Sequence, residues 1–175
     1  MPEGWVAEGD ALFEAQPASY WGTQANSGTQ LLVAFSQTGN RQNAVFSPMI
    51  EMKAGKEYTM TVMVQRNDLA NKVPTSQVTI GSSQSRAAHV VVYDKSSEAT
   101  SGWEQIEVKF APSSDGQYCF GLWDVSLLSN PGFLFYDTFS VAEADVEVPE
   151  EPVVVTEFPY TENFDGTEAY SLPEG

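Results

Sequence analysis

The chain has 175 residues, a mass of 19.1 kDa and a formal net charge of −16 from 24 acids and 8 bases. That length holds one domain with a sizeable core. The charge argues against nucleic acid and anionic membrane surfaces as partners, since both need cationic patches. The single cysteine and single histidine exclude an intrachain disulfide and leave too few ligands for a Cys/His zinc site.

Period-two patterns dominate from the first third onward. Leu31–Phe35 reads as a strand. Tyr58, Met60, Val62 and Val64 alternate with Thr59, Thr61, Met63 and Gln65, and Val78–Ile80 and His89–Tyr93 follow as short apolar runs. Ile106, Val108 and Phe110 alternate with Glu107 and Lys109, and Tyr118, Phe120 and Leu122 alternate with Cys119, Gly121 and Trp123. In the last strand Phe133, Phe135, Phe139 and Val141 share one face, with Asp137 intruding on it. Each run is rich in β-branched or aromatic residues and bounded by turn formers. Polar loops lie between them at 15–29, 66–76, 94–102 and 124–132, the last ending in Asn130-Pro131-Gly132. No capped stripe of helical period is present. The pattern predicts an all-β, antiparallel β-sandwich with little or no helix.

The acidity is concentrated late. All eight bases lie between Arg41 and Lys109, and thirteen acids but no base follow Ala111. Pro149 and Pro152, set among acids, forbid helix or central strand. Residues 144–156 therefore read as a stiff, solvated linker. It separates a β-sandwich module, 1–143, from a tail, 157–175. No apolar run approaches the ~20 residues that span a bilayer, so no direct membrane insertion is expected. The start, Met1-Pro2-Glu3-Gly4-Trp5, has neither the basic nor the apolar region of a signal peptide.

Pro2-Glu3-Gly4 near the start recurs as Pro173-Glu174-Gly175. Reading Phe158-Pro-Tyr-Thr-Glu-Asn-Phe-Asp165 and Leu172-Pro-Glu-Gly175 straight on into Trp5 gives a sequence that resembles the opening of choice-of-anchor J domains. These are relatives of the cleaved adhesin domains of gingipains and similar to MAM-type jelly rolls. Asn43–Val64, with Ser47-Pro48 and Tyr58-Thr-Met-Thr-Val inside it, resembles the family's next segment. Gly102-Trp103 leading into Ile106–Phe110, Gly116-Gln-Tyr118 and Phe133–Val141 resemble its second half. The resemblance implies a jelly-roll sandwich from a secreted or surface-anchored bacterial protein. It also implies that the chain is a fragment lacking its signal peptide, and that 157–175 is the first strand and turn of a following repeat. That tail can fill the missing first-strand position of its own sandwich, or exchange with a second copy.

Catalytic chemistry finds little support. His89 stands alone at the start of an apolar strand, and Cys119 lies among apolar neighbours as an inert thiol. No nucleophile elbow, phosphate loop or dinucleotide fingerprint occurs. The chain is read as a non-enzyme. Asp137, Glu162 and Asp165 would meet if first and last strands pair. Two readings of Asp137 stay open: backbone N–H bonds, or a structural calcium ion held with the tail acids.

Tyr20-Trp21 lies in a loop rich in Gly, Ser, Asn, Gln and Thr. Flat rings beside amides and hydroxyls suit sugar faces. With Asp68, Asn71 and Trp123 they form the candidate ligand set, for carbohydrate or glycoprotein. The alternative is a spacer repeat in a tandem surface stalk with no ligand of its own. Trp5 and Trp103 read as core.

Overall fold

The computed structural model describes residues 1–9, 12–35, 43–68, 74–96, 102–126 and 132–145. The strands are β1 (Val6–Glu8), β2 (Leu12–Pro17), β3 (Gln30–Phe35), β4 (Asn43–Phe46), β5 (Ile50–Met52) and β6 (Lys56–Asp68). They continue as β7 (Thr75–Gly81), β8 (His89–Ser96), β9 (Glu104–Phe110), β10 (Gly116–Asp124) and β11 (Gly132–Asp145). Two short 3₁₀ turns, Ala18–Trp21 and Arg86–Ala88, are the only helical pieces among the described residues.

Two antiparallel sheets form the sandwich. The first has the order β1-β4-β10-β7-β8, with β5 also on β10; the second has the order β2-β3-β11-β6-β9. Between them lie Met60, Val62 and Val64 of β6, Val78 and Ile80 of β7, Ile106 and Val108 of β9, Phe120 and Leu122 of β10, and Leu134 and Tyr136 of β11. These are the inward positions of the period-two patterns, so the alternation in the sequence sets the core directly. Each fully buried large side chain contributes about 1.5–3 kcal/mol over an exposed one.

β1, β4 and β5 have no counterpart among the strands read from the sequence, and the structure differs from that reading in three further places. β2 occupies the start of what reads as a loop, because an edge strand needs only Phe13 inward and tolerates Pro17 at its end. β6 and β8 run on to Asp68 and Ser96, and β11 to Asp145, since ladder pairing continues past the last apolar residue. The third difference is the face assigned in β11. A bulge between Asp137 and Ser140 adds one residue to β11 against β6, and an odd insertion flips the alternation. Phe133 and Phe135 therefore face outward with one cluster, while Phe139 and Val141 pack on the main core. Thr138 carries the strain of the bulge at φ 51°, a left-handed value that is uncommon for a β-branched residue.

That bulge is held by side chains. Asp137 accepts the Thr138 N–H at 2.7 Å and the Ser27 N–H at 2.9 Å, and the Thr138 hydroxyl donates to Asn26 at 2.9 Å. The loop after β2 is thereby fixed across the outer face of the second sheet.

Candidate binding face

The outer face of the second sheet carries an aromatic shelf. Leu31 and Val33 of β3 and Phe133 and Phe135 of β11 point outward, away from the core, because they alternate with the inward Leu32, Ala34, Leu134 and Tyr136. Ala18, Trp21 and Ala25 from the loop and Trp103 before β9 close over them. The 3₁₀ turn Ala18–Trp21 ends at Gly22, whose φ of 65° lets its N–H return to Ser19. This sharp stop places the Trp21 ring on Phe133, centroids 4.9 Å apart, and near Phe135 at 6.0 Å.

Amides surround the rings. The Trp21 indole N–H donates to Gln16 Oε1 at 2.8 Å, and Gln16 donates in turn to Glu14 at 2.8 Å. The Trp103 indole donates to the Gln24 carbonyl at 3.0 Å, and the Thr23 hydroxyl to Gln65 at 3.1 Å. Tyr20 stands on this shelf with its ring edge-on to Trp21 at 5.5 Å and is 77% exposed. It is the large aromatic that the described residues leave most open. Beside the shelf the same face continues as a polar surface. Thr61 and Ser140 share a hydrogen bond of 2.7 Å there, next to Glu107, Thr59 and Lys109 on the paired strands.

Tyr20 and Trp21 therefore come together, and Trp103, read from the sequence as core, joins them on the outside. Trp103 stands one residue before β9 and packs on the outer cluster, its indole held by the Gln24 carbonyl. Trp5 instead packs edge-on against Phe139 at 5.0 Å, at the rim of the main core. Asp68 ends β6 opposite Gly132, at the shelf's end of the sheet. Its side chain, together with Asn71, Glu162 and Asp165, lies outside the described residues.

Trp123 lies on the opposite outer face, that of the first sheet. There Ala44, Phe46 and Cys119 form a third cluster, with Trp123 and Met49 against it. The 82–88 connection straps over it. Gln84 donates to the carbonyls of Gly4 and Ser47 at 2.7 and 2.9 Å, the Arg86 N–H donates to Glu8 at 3.0 Å, and the Arg86 guanidinium sits 4.8 Å over the Trp123 ring. Trp123 is thus a covered residue and no neighbour of Tyr20. Its placement follows from β10 alternation, which sends Cys119, Gly121 and Trp123 outward together.

His89 begins β8 and packs on Phe46 at 4.7 Å. Its Nε2–H donates to the Ser83 carbonyl at 2.9 Å, so its Nδ1 accepts from the Thr79 hydroxyl at 2.8 Å. Burial lowers its pKa from the ordinary value. Cys119 Sγ lies 3.4 Å from Nε2, but burial pushes the thiol up to about 11. It stays protonated near neutral pH, which disfavours nucleophilic use. Among the described residues no three His, Cys, Asp or Glu side chains converge on a metal position.

No protein-family model and no curated protein matches this sequence. Solved structures do match. The K1 cleaved adhesin domain of Lys-gingipain from Porphyromonas gingivalis is similar with a TM-score of 0.61 at 14% identity, over 81% of this chain and 92% of that one. The CBM22-1 xylan-binding domain of Paenibacillus barcinonensis Xyn10C gives 0.54 at 14% identity, over 83% and 88%. The CBM22-1 and GH10 modules of Clostridium thermocellum xylanase 10B, complexed with xylohexaose, give 0.56 at 20% identity. This chain covers 26% of that longer one, and 79% of itself is matched. The fold is a jelly-roll β-sandwich, the architecture of carbohydrate-binding and adhesin domains.

Proposed function

We propose that this chain is a non-catalytic binding module of a secreted or surface-anchored bacterial protein, with carbohydrate or the glycan of a glycoprotein as its ligand. The observation that carries the reading is the exposed Tyr20 ring, propped on the Trp21–Phe133–Trp103 shelf beside an open polar sheet face. A rigid aromatic flanked by amides and hydroxyls suits the C–H face and the hydroxyls of a sugar. The fold neighbours named as a xylan-binding domain, as modules complexed with xylohexaose and as a cleaved adhesin domain support the class. The order of sequence motifs supports the choice-of-anchor J resemblance and the extracellular setting. Within this reading Tyr20 stacks, Trp21 and Trp103 support it, and Gln24, Gln65 and Thr23 supply polar contacts. The test is binding of the full chain to an immobilised glycan array, with xylo-oligosaccharides and mucin-type glycoprotein included. Binding that is weakened by Tyr20→Ala supports the module; no binding to any glycan favours the spacer repeat.

A further inference from the structure

β11 is paired on both sides only in its first half. Leu134, Phe135 and Tyr136 lie between β3 and β6, whereas Ser140–Asp145 pair with β6 alone. Among the described residues no strand bonds to their other flank. The inward side chains here, Phe139 and Val141, stay only partly buried although both touch the core. Beside this free edge a mostly apolar hollow of about 240 Å³ opens between the sheets, walled by Pro2, Trp5, Leu32, Val62, Leu122 and Phe139, with Gln30, Asp137 and Thr138 as its polar part. A dry cavity of ~150 Å³ already holds benzene, so this hollow accepts one aromatic side chain. An open edge flanked by uncovered apolar surface is the situation that an added strand resolves.

We propose that residues 158–165 of the same chain, which lie outside the described residues, add to Ser140–Asp145 as an antiparallel strand, with Phe164 seated in the hollow between Trp5 and Phe139. The chain leaves β11 at Asp145, so residues 146–157 form the connection. An antiparallel return crosses a single strand spacing of ~4.8 Å, which a dozen residues span with ease, so no second copy is needed. Pro149 and Pro152 keep the connection itself out of the ladder. The segment Phe158-Pro-Tyr-Thr-Glu-Asn-Phe-Asp165 has Phe158, Tyr160, Glu162 and Phe164 on one period-two face and Thr161, Asn163 and Asp165 on the other; Glu162, at the register position of Val141, is the one acid on the aromatic face. Pro159 lacks an N–H, which an edge strand tolerates. Pairing 158 with 145 sets Phe164 opposite Phe139, at the mouth of the hollow. The wall there includes Pro2, and Pro2-Glu3-Gly4 is the tripeptide that recurs at 173–175.

Hydrogen exchange of the full chain, read by mass spectrometry at two protein concentrations, tests this. Peptides covering 138–145 and 158–165 should exchange at least ~100-fold slower than unstructured chain, equally at both concentrations. Phe164→Asp should speed both by at least ~10-fold while peptides from β7 and β10 keep their protection, which shows that the sandwich remains folded. Unstructured rates at 158–165, or both peptides unchanged in the variant, would overturn the proposal. Protection that appears only at high concentration, with a dimer mass, would also overturn it by making a second copy the donor.

Discussion

Replacing Trp21 by alanine separates support from contact. The ring is half-buried on Phe133 and Phe135, and its N–H is bonded to Gln16. A full Trp→Ala truncation in a core costs about 3–5 kcal/mol, and half burial reduces the apolar part to about 1.5 kcal/mol. The ring contacts add about 0.5–1.5 kcal/mol and the hydrogen bond about 1 kcal/mol. The sum is about 3 kcal/mol, or a fall in Tm of about 6–12 °C for a chain of this size. Trp21→Phe keeps most of the stacking and loses the hydrogen bond, so about 1–1.5 kcal/mol is expected. Urea unfolding followed by far-UV circular dichroism measures both. A loss below 1 kcal/mol for Trp21→Ala would refute the shelf as a packed unit and return the ring to solvent.

Gly121→Ala places a Cβ 2.4 Å from the Thr79 hydroxyl and 2.8 Å from the Trp123 indole nitrogen. The strap face must shift, and a loss of about 1–3 kcal/mol is expected in the same unfolding assay. Arg66 is fully buried and pairs with Glu104 at 3.2 Å, where Glu104 keeps 27% exposure. Glu104→Ala should cost about 2 kcal/mol, below the ~3–5 kcal/mol of a fully buried pair because water screens the carboxylate. The His89 pKa is lowered by burial, so the unfolded chain takes up the proton first. The stability this carries is complete above the ordinary value of 6.5 and is lost as pH falls below it and through the lower folded value. Melting from pH 7 to pH 5 should fall more steeply in the parent chain than in His89→Gln; parallel curves would contradict it.

The fold was legible wherever strands bury one face. Tyr58 to Val64, Ile106 to Phe110 and Tyr118 to Leu122 show their inward positions as plain alternation, and the sandwich follows from them. β1 and β2 were not legible, because short edge strands bury too few residues to impose a period. The β11 faces were misread because a bulge leaves no mark on composition; Asp137 as an intruder on an apolar face was its one trace. Tyr20 and Trp21 stood out by their loop, and Gln16 lies only five residues from Trp21, but Trp103, Gln65 and Phe133 meet them only through pairing across distant parts of the chain. Trp123, read onto a strand and grouped with Trp21 in the candidate ligand set, lies on the other sheet, a placement that only topology supplies.

Tyr20→Ala tests the account most directly. The ring is largely in solvent, so its loss should leave stability within ~0.5 kcal/mol. If the ring stacks on a sugar, the same change should weaken binding to whichever glycan the array selects about tenfold, a contact of about 1.4 kcal/mol. Isothermal titration of parent and variant chains with that glycan decides it. A tenfold loss with unchanged melting is the result the account predicts. Unchanged affinity would contradict it and remove the shelf as the binding face.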